Sequence, residues 1–438
     1  MRHNKIIAIL SLFLLLSFLF FKVERYKVPG IIMWDVKGYY AYLPPLFSVE
    51  PRLERENIVN CGGDCYVNKM SVGLSLLYFP FFILGHIWAL IHSGMPANGY
   101  SEPYQICLGF SGIFAFIISF LILDHFLGRY FKSTIRYISI LTILFGTNLL
   151  YYTFAEPMMP HVFNFMLMAL FMELTIRWHK QPNCKHSVFL GIICGLISLI
   201  RPSNTIFGIL FLLYNVASFK DLRLKWMFYV KEYKSVFLLV LSAVLIWLPQ
   251  MFYWYQKTGS LFFYSYGAES FFFLSPKIGL GLFSFTKGWF VYTPMAFFIL
   301  LFSIFIPLPK EWRISFLVFI PSFTYLVLSW WNWWYGGSFG HRAFIDILPV
   351  LIFLLANLLS KIKMYTQAIF LTLIGFCLLL NLFQTWQYSN YIIHYEGMNY
   401  KTYLMVFGKT QKVDHLDEYL TMPDPEMAKK GKVAYWND

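Results

Sequence analysis

The segment Val72-Gly73-Leu74-Ser75-Leu76-Leu77-Tyr78-Phe79-Pro80-Phe81-Phe82-Ile83-Leu84-Gly85-His86-Ile87-Trp88-Ala89-Leu90-Ile91 decides how this chain is threaded. Length and apolarity suit it to crossing a bilayer. Charge elsewhere argues that it lies along the interface instead. If it does, eleven spans remain: 6–21, 104–126, 137–153, 161–176, 187–200, 204–219, 236–254, 289–306, 315–331, 345–359 and 367–383. With the N-terminus inside, the inner segments hold 17 Lys/Arg against three acids, Asp221, Glu232 and Glu311. The outer segments are nearly balanced. A spanning 72–91 with the same N-terminus would turn every later basic loop outward, against the positive-inside rule.

Composition sets the class. Of 438 residues, 58% are hydrophobic and 13% charged, and the mean hydropathy is +0.58. A soluble domain carries about a quarter charged residues. The expectation is an all-α polytopic membrane protein, since a helix satisfies its own backbone in lipid. The net charge of +13 does not point to nucleic acid, because the basic residues sit in short loops between apolar runs. Four segments follow: a first transmembrane helix 1–21, an outer loop with an interfacial helix 22–103, a transmembrane bundle 104–385, and an outer tail 386–438. Only Cys61 and Cys65, of six cysteines, are close enough in sequence to pair. A disulfide there needs an oxidising compartment, and a two-cysteine metal site is the alternative.

In this topology the outer face collects the unusual residues. Asp35 lies in Trp34-Asp35-Val36-Lys37-Gly38-Tyr39-Tyr40-Ala41-Tyr42, a carboxylate among rings that favour the membrane boundary. Trp34, Tyr39, Tyr40, Trp331 and Trp334 either stack on sugar faces or anchor the interface. Arg201 follows an apolar run and precedes Pro202, which stops the helix from continuing. A charge so close to hydrocarbon suggests function: Arg201 grips a phosphate with its fork, or snorkels to headgroups. Arg342 follows Gly336-Gly337-Ser338-Phe339-Gly340-His341 and has the same two readings. Lys69 and Lys287 read as exposed lysines with weaker claims. Glu102, Glu156 and His161 share the outer face. Glu156 with His161 either binds a divalent metal or marks a helix start.

These pieces resemble the C-type (GT-C) superfamily of membrane glycosyltransferases, in particular the protein O-mannosyltransferases and the lipid A aminoarabinose transferase. The likeness is one of architecture from Met1 to about Phe383, and of motif only locally. Asp35 matches the acidic residue of the first outer loop. Lys69 looks like the basic entry to the juxtamembrane helix, although Met70 stands where the family has proline and Val36 where it often has a second acid. Arg201 follows Gly191-Ile192-Ile193-Cys194-Gly195, and Arg342 precedes Leu348-Pro349. The resemblance implies inverting transfer of a sugar from a polyprenyl-phosphate donor to a glycan, lipid or protein acceptor. It makes Asp35 the base, puts Arg201, Arg342 and Lys69 on the lipid phosphate, and places the site on the periplasmic side of a bacterial inner membrane. A divalent metal is optional in such enzymes. A lipid or glycan flippase is the alternative, and would show repeats or helices broken at mid-membrane; no repeat is visible.

Single cysteines test this threading, in a background stripped of accessible native thiols. Gly38→Cys and Ser101→Cys will react with an impermeant thiol reagent on intact cells, and Ser133→Cys and Ser218→Cys only after lysis. Labelling of Gly38→Cys only after lysis would move the Asp35 loop inside.

Overall fold

The computed structural model describes residues 2–27, 30–362 and 364–432. Helices dominate, and one two-stranded hairpin is the only sheet among the described residues. Among the described residues seven helices are long and apolar enough to cross a membrane, so the chain is an all-α polytopic membrane protein. The helix of Gly73–Ile91 is one of the seven.

In chain order the first elements are α1 (Arg2–Val23), α2 (Asp35–Tyr40), β1 (Ile58–Gly62), β2 (Cys65–Asn68), α3 (Gly73–Ile91) and α4 (Glu102–Leu127). Next come α5 (Ser133–Gly146), α6 (Leu149–Phe154), α7 (Pro160–Lys180), α8 (Cys184–Ile200), α9 (Gly208–Leu212), α10 (Phe219–Lys231) and α11 (Tyr233–Thr258). The rest are α12 (Ile278–Phe283), α13 (Trp289–Tyr292), α14 (Pro294–Ser303), α15 (Lys310–Leu328), α16 (Leu348–Lys361), α17 (Met364–Ser389), α18 (Tyr400–Val406) and α19 (Pro425–Lys429). They group into two compact units that interleave along the chain.

The first unit is Met1–Leu121, Tyr152–Thr205 and Lys225–Gly267. Its axis is the pair α8 and α11. Gly191 rests on the Leu239 carbonyl and Ser242, and Gly195 on the Ala243 carbonyl and Ile246, with no room for a Cβ at either. Farther along, Trp247 Nε1 donates to Ser198 Oγ at 2.9 Å. Numbers rise together on both helices, so they run parallel, joined by the small-residue contacts that let helices approach in lipid. α7 returns against α8 and is pinned at the turn by Trp178 Nε1 donating to Ser187 Oγ at 2.9 Å. α1 and α4 are antiparallel: Phe20 lies on Gly109 while Phe13 reaches Phe114. α4 and α7 are parallel, with Gly112 on Pro157 and Phe116 stacked on Phe165.

α3 meets the ends of these helices in turn. Gly73 presses on the backbone of Ile200, the last residue of α8. The Val72 N–H donates to Gln250 Oε1, late in α11, at 2.8 Å. Tyr78 donates to the Met158 carbonyl just before α7, and Gly85 lies on the first turn of α4 at Tyr104. All four contacts fall at the same end of the unit.

The second unit is Ile122–Tyr151, Ile206–Leu224 and Ala268–Asp438. Its core is α16, buried from Leu348 to Leu358. Phe353 packs there on Phe126, Tyr130, Phe131 and Phe316. α14 and α17 run antiparallel, Asn381 Nδ2 donating to the Tyr292 carbonyl at 2.9 Å and Phe302 meeting Phe370.

Three of the expected spans are not single helices. The stretch 137–153 breaks between α5 and α6, where Asn148 Nδ2 donates to the Phe339 carbonyl at 3.0 Å. The stretch 289–306 breaks at Thr293, before Pro294, which has no N–H to continue a helix. The stretch 204–219 holds only a 3-10 turn, Pro202–Phe207, and the short α9. Beyond it Asn215 turns through φ +59°, and its N–H bonds the Glu311 carbonyl at 2.8 Å. Hydropathy registers composition but not such breaks.

The α8–α11 contact predicts a cost. Gly195→Leu forces four carbons against the Ala243 backbone and will destabilise the fold by about 1–3 kcal/mol or more. Ser198→Ala, which removes one hydrogen bond, will cost about 1 kcal/mol. Thermal unfolding in detergent checks both, and equal melting of Gly195→Leu and the parent would mean the helices have room to part.

Candidate active site

Asp35 opens the short helix α2, and Trp34 before it takes φ +51°, unusual for a bulky residue. Such backbone costs of order 1–3 kcal/mol and persists only where the surroundings hold it. Here Asn57 Nδ2 donates to the Trp34 carbonyl at 3.3 Å, and Lys37 pairs with Glu54. The far side of α2 is anchored by Asn68 Nδ2 on the Gly38 carbonyl at 2.8 Å, Ser75 Oγ on the Tyr39 carbonyl, and Tyr42 on the Met70 carbonyl at 2.6 Å. Asp35 is left half-buried beside Trp34, which is exposed.

The hairpin delivers Lys69. Strand β1 pairs antiparallel with β2. The turn passes through Gly62 and Gly63, both at positive φ, and the Cys61–Cys65 disulfide closes it. Lys69 follows immediately. Its N–H donates to the Asn57 carbonyl at 2.8 Å, and its own carbonyl accepts from Ser265 Oγ at 2.8 Å. Its ammonium lies 5.7 Å from the centre of the Tyr266 ring.

Arg201 arrives from a third direction, as the half-buried, extended residue that caps α8. Ser71 Oγ donates to the Leu199 carbonyl, so the strand-to-helix passage after Lys69 touches the end of α8. Tyr39 ties these pieces together. It stands one turn after Asp35 on the same face of α2 and is buried. Burial first, then Tyr266 and Asp35, push its hydroxyl well above the ordinary tyrosine range, while Arg201 pulls it back. Asp35, Lys69, Arg201, Tyr39 and Tyr266 thus gather at the end of the unit that α3 crosses. Tyr266 was missed: it stands in an aromatic loop, 257–289, with nothing in sequence to separate it from its neighbours.

The remaining residues of this face are engaged differently. Glu156 pairs with Arg25, Nη1 to Oε1 at 3.0 Å. Glu102 is exposed, and its charge acts on Lys27. His161 is buried with its ring against Tyr152. No group of three or more His, Cys, Asp or Glu able to hold a metal occurs among the described residues. Tyr40 is fully buried, donates to the Gly99 carbonyl, and packs on Phe82 and Tyr100. Its ring is a structural wedge, without a face for a sugar.

Arg342, Trp331 and Trp334 belong to the second unit. Trp331 and Trp334 are buried with Trp333 under Ala428 of α19, so the expected stacking platforms are covered by the tail. Trp334 Nε1 donates to Glu396 Oε1 at 2.7 Å. Lys287 is not the exposed lysine expected: it is 2% exposed, and its ammonium donates to the Ser338 and Tyr395 carbonyls. Burial, and next this ammonium, hold His394 below its usual range. Arg342 lies beside Gly336, and is followed by Asp346, which is fully buried. Asp346 was overlooked because it falls inside an apolar window.

Comparisons with protein-family models, with curated proteins and with solved structures returned no match for this chain.

The Tyr39 environment predicts a titration. Desolvation favours the neutral phenol, so Tyr39 will stay protonated through about pH 10, where an ordinary tyrosine is half ionised. Tyrosine labelled at Cζ, with the signal assigned by its loss in Tyr39→Phe, reports this by NMR. A midpoint near 10 would mean that the hydroxyl stands in water.

Proposed function

We propose that the chain is a membrane glycosyltransferase that moves a sugar from a polyprenyl-phosphate donor to an acceptor at the outer face of the membrane. One observation carries the reading: Asp35, Lys69 and Arg201, remote from one another in sequence, meet around Tyr39 and Tyr266. Asp35 takes the proton of the acceptor hydroxyl or amine as that atom bonds the anomeric carbon. The bond from that carbon to the lipid phosphate breaks, and its electron pair stays on the phosphate. Lys69 and Arg201 stabilise the charge that grows there, and Tyr39 remains a neutral hydroxyl beside them. The donor's isoprenoid tail stays in the bilayer.

The same reading makes α3 an in-plane helix. Its contacts run across the ends of α8, α11, α7 and α4, which is what a helix lying at the interface makes and a helix parallel to its neighbours does not. Within the first unit α1 and α4 run antiparallel, as alternating spans around an interfacial α3 require. A Cys61–Cys65 disulfide fits an oxidising outer compartment. Broken helices favour the flippase reading only if they lie at mid-membrane. The break at Thr293 falls near the start of its apolar stretch, 289–306, whereas that at Thr147–Asn148 lies nearer the middle of 137–153 than its end.

Asp35→Asn will abolish sugar transfer, a loss of about 10²–10⁴-fold, and leave folding and donor binding intact, because asparagine keeps the shape but takes no proton at neutral pH. Asp35→Glu will keep a small residual rate. The assay is transfer of radiolabel from polyprenyl-phosphate sugars by purified protein. Wild-type transfer by Asp35→Asn would turn attention to Glu102 and Glu156.

A further inference from the structure

Away from the Asp35 cluster, α10 is a helix of 13 residues in which no residue is buried. Its sequence, Phe219-Lys220-Asp221-Leu222-Arg223-Leu224-Lys225-Trp226-Met227-Phe228-Tyr229-Val230-Lys231, carries two different faces. One is docked. Phe228 and Tyr229 pack on Trp178 at the C-terminal end of α7, and Tyr229 shares a 3.1 Å hydrogen bond with His179 Nε2. Lys225 lies over both rings, and burial lowers its ammonium to about 8. This contact fixes the helix's rotation, and the other face has to point outward.

That outward face is apolar. Phe219, Leu222, Trp226 and Val230 recur at helical spacing, and Phe219 and Trp226 are 91% and 70% exposed. Tyr233 continues the stripe onto α11 at 62% exposed. Lys220, Arg223, Lys231 and Lys234 border it, all exposed. An apolar stripe with aromatic residues and a basic border is the pattern of a helix lying in a lipid interface.

Position says what covers the stripe. Only Glu232 separates α10 from α11, which is long and apolar enough to cross the membrane. α10 therefore sits at the level where that helix enters the bilayer. Its neighbour, the end of α7, carries Arg177, His179 and Lys180, and α3 with the Asp35 cluster lies at the opposite ends of α7 and α11. We infer that α10 is a lipid-docking helix which seats its Phe219–Leu222–Trp226–Val230 stripe in the anionic leaflet on the side opposite the Asp35 cluster, with Lys220, Arg223, Lys231 and Lys234 on the headgroups. This does not depend on the reaction proposed above.

Spin labels test it in the full-length protein, with Cys107, Cys184, Cys194 and Cys377 replaced and the Cys61–Cys65 disulfide kept. Trp226→Cys and, independently, Val230→Cys are labelled and reconstituted in phosphatidylcholine nanodiscs with or without about one third phosphatidylglycerol. In the anionic discs both labels will be open to oxygen and shielded from a water-soluble nickel chelate. The oxygen-to-chelate accessibility ratio will be about fivefold above that in neutral discs. Replacing Lys220, Arg223 and Lys231 with glutamine will remove the difference between disc types. Chelate access equal in both disc types overturns the proposal. So does shielding from both reagents, which would mean that a protein surface covers the stripe.

Discussion

The close approach of Gly73 to the backbone of Ile200 is the constraint on which the first unit depends. A Cβ at Gly73 would lie 3.0 Å from the Ile200 nitrogen, so α3 begins in direct contact with the end of α8. That end is itself fixed, because Gly191 and Gly195 bring α8 against the α11 backbone. From this junction Lys69 and Arg201 issue within a few residues on either side. α2, fastened to α3 through Ser75 and Tyr39, brings Asp35 to the same place. Packing among apolar helices thus decides where three charged groups emerge.

Those charges stand at the ends of apolar helices, where isolated charge is costly. Aromatic rings and backbone carbonyls moderate the cost. Lys69 has the Tyr266 ring below its ammonium, and burial first, then Tyr266 and Asp35, keep the Tyr39 hydroxyl neutral against the pull of Arg201. In the second unit the Lys287 ammonium is likewise held by carbonyls. The proposed function rests on this grouping of two cations and a carboxylate, since two cations can stabilise charge on a phosphate.

Much of this was legible in sequence, for identifiable reasons. Asp35, Lys69 and Arg201 each stand next to an apolar run, so their charge is conspicuous, and Gly191 and Gly195 carry the spacing of a close helix contact. What escaped notice has equally physical causes. Tyr266 is one ring among many, and only the fold puts it under Lys69. Asp346 is diluted by the apolar residues around it. The breaks at Asn148 and Asn215 depend on hydrogen bonds to distant carbonyls, which no local window sees, whereas the break at Thr293 precedes Pro294. Trp331 and Trp334 read as stacking platforms or interface anchors because the polar composition of the tail does not reveal that they are buried with Ala428.

The most direct measurement is an electron cryomicroscopy map of the protein with a polyprenyl phosphate bound. The account predicts phosphate density within charge-assisted hydrogen-bond distance, about 2.7–3.0 Å, of both Lys69 Nζ and Arg201, with the Asp35 carboxylate open to the space beyond. Phosphate bound elsewhere, or ordinary lipid headgroups on Arg201 with Asp35 closed off, would contradict it.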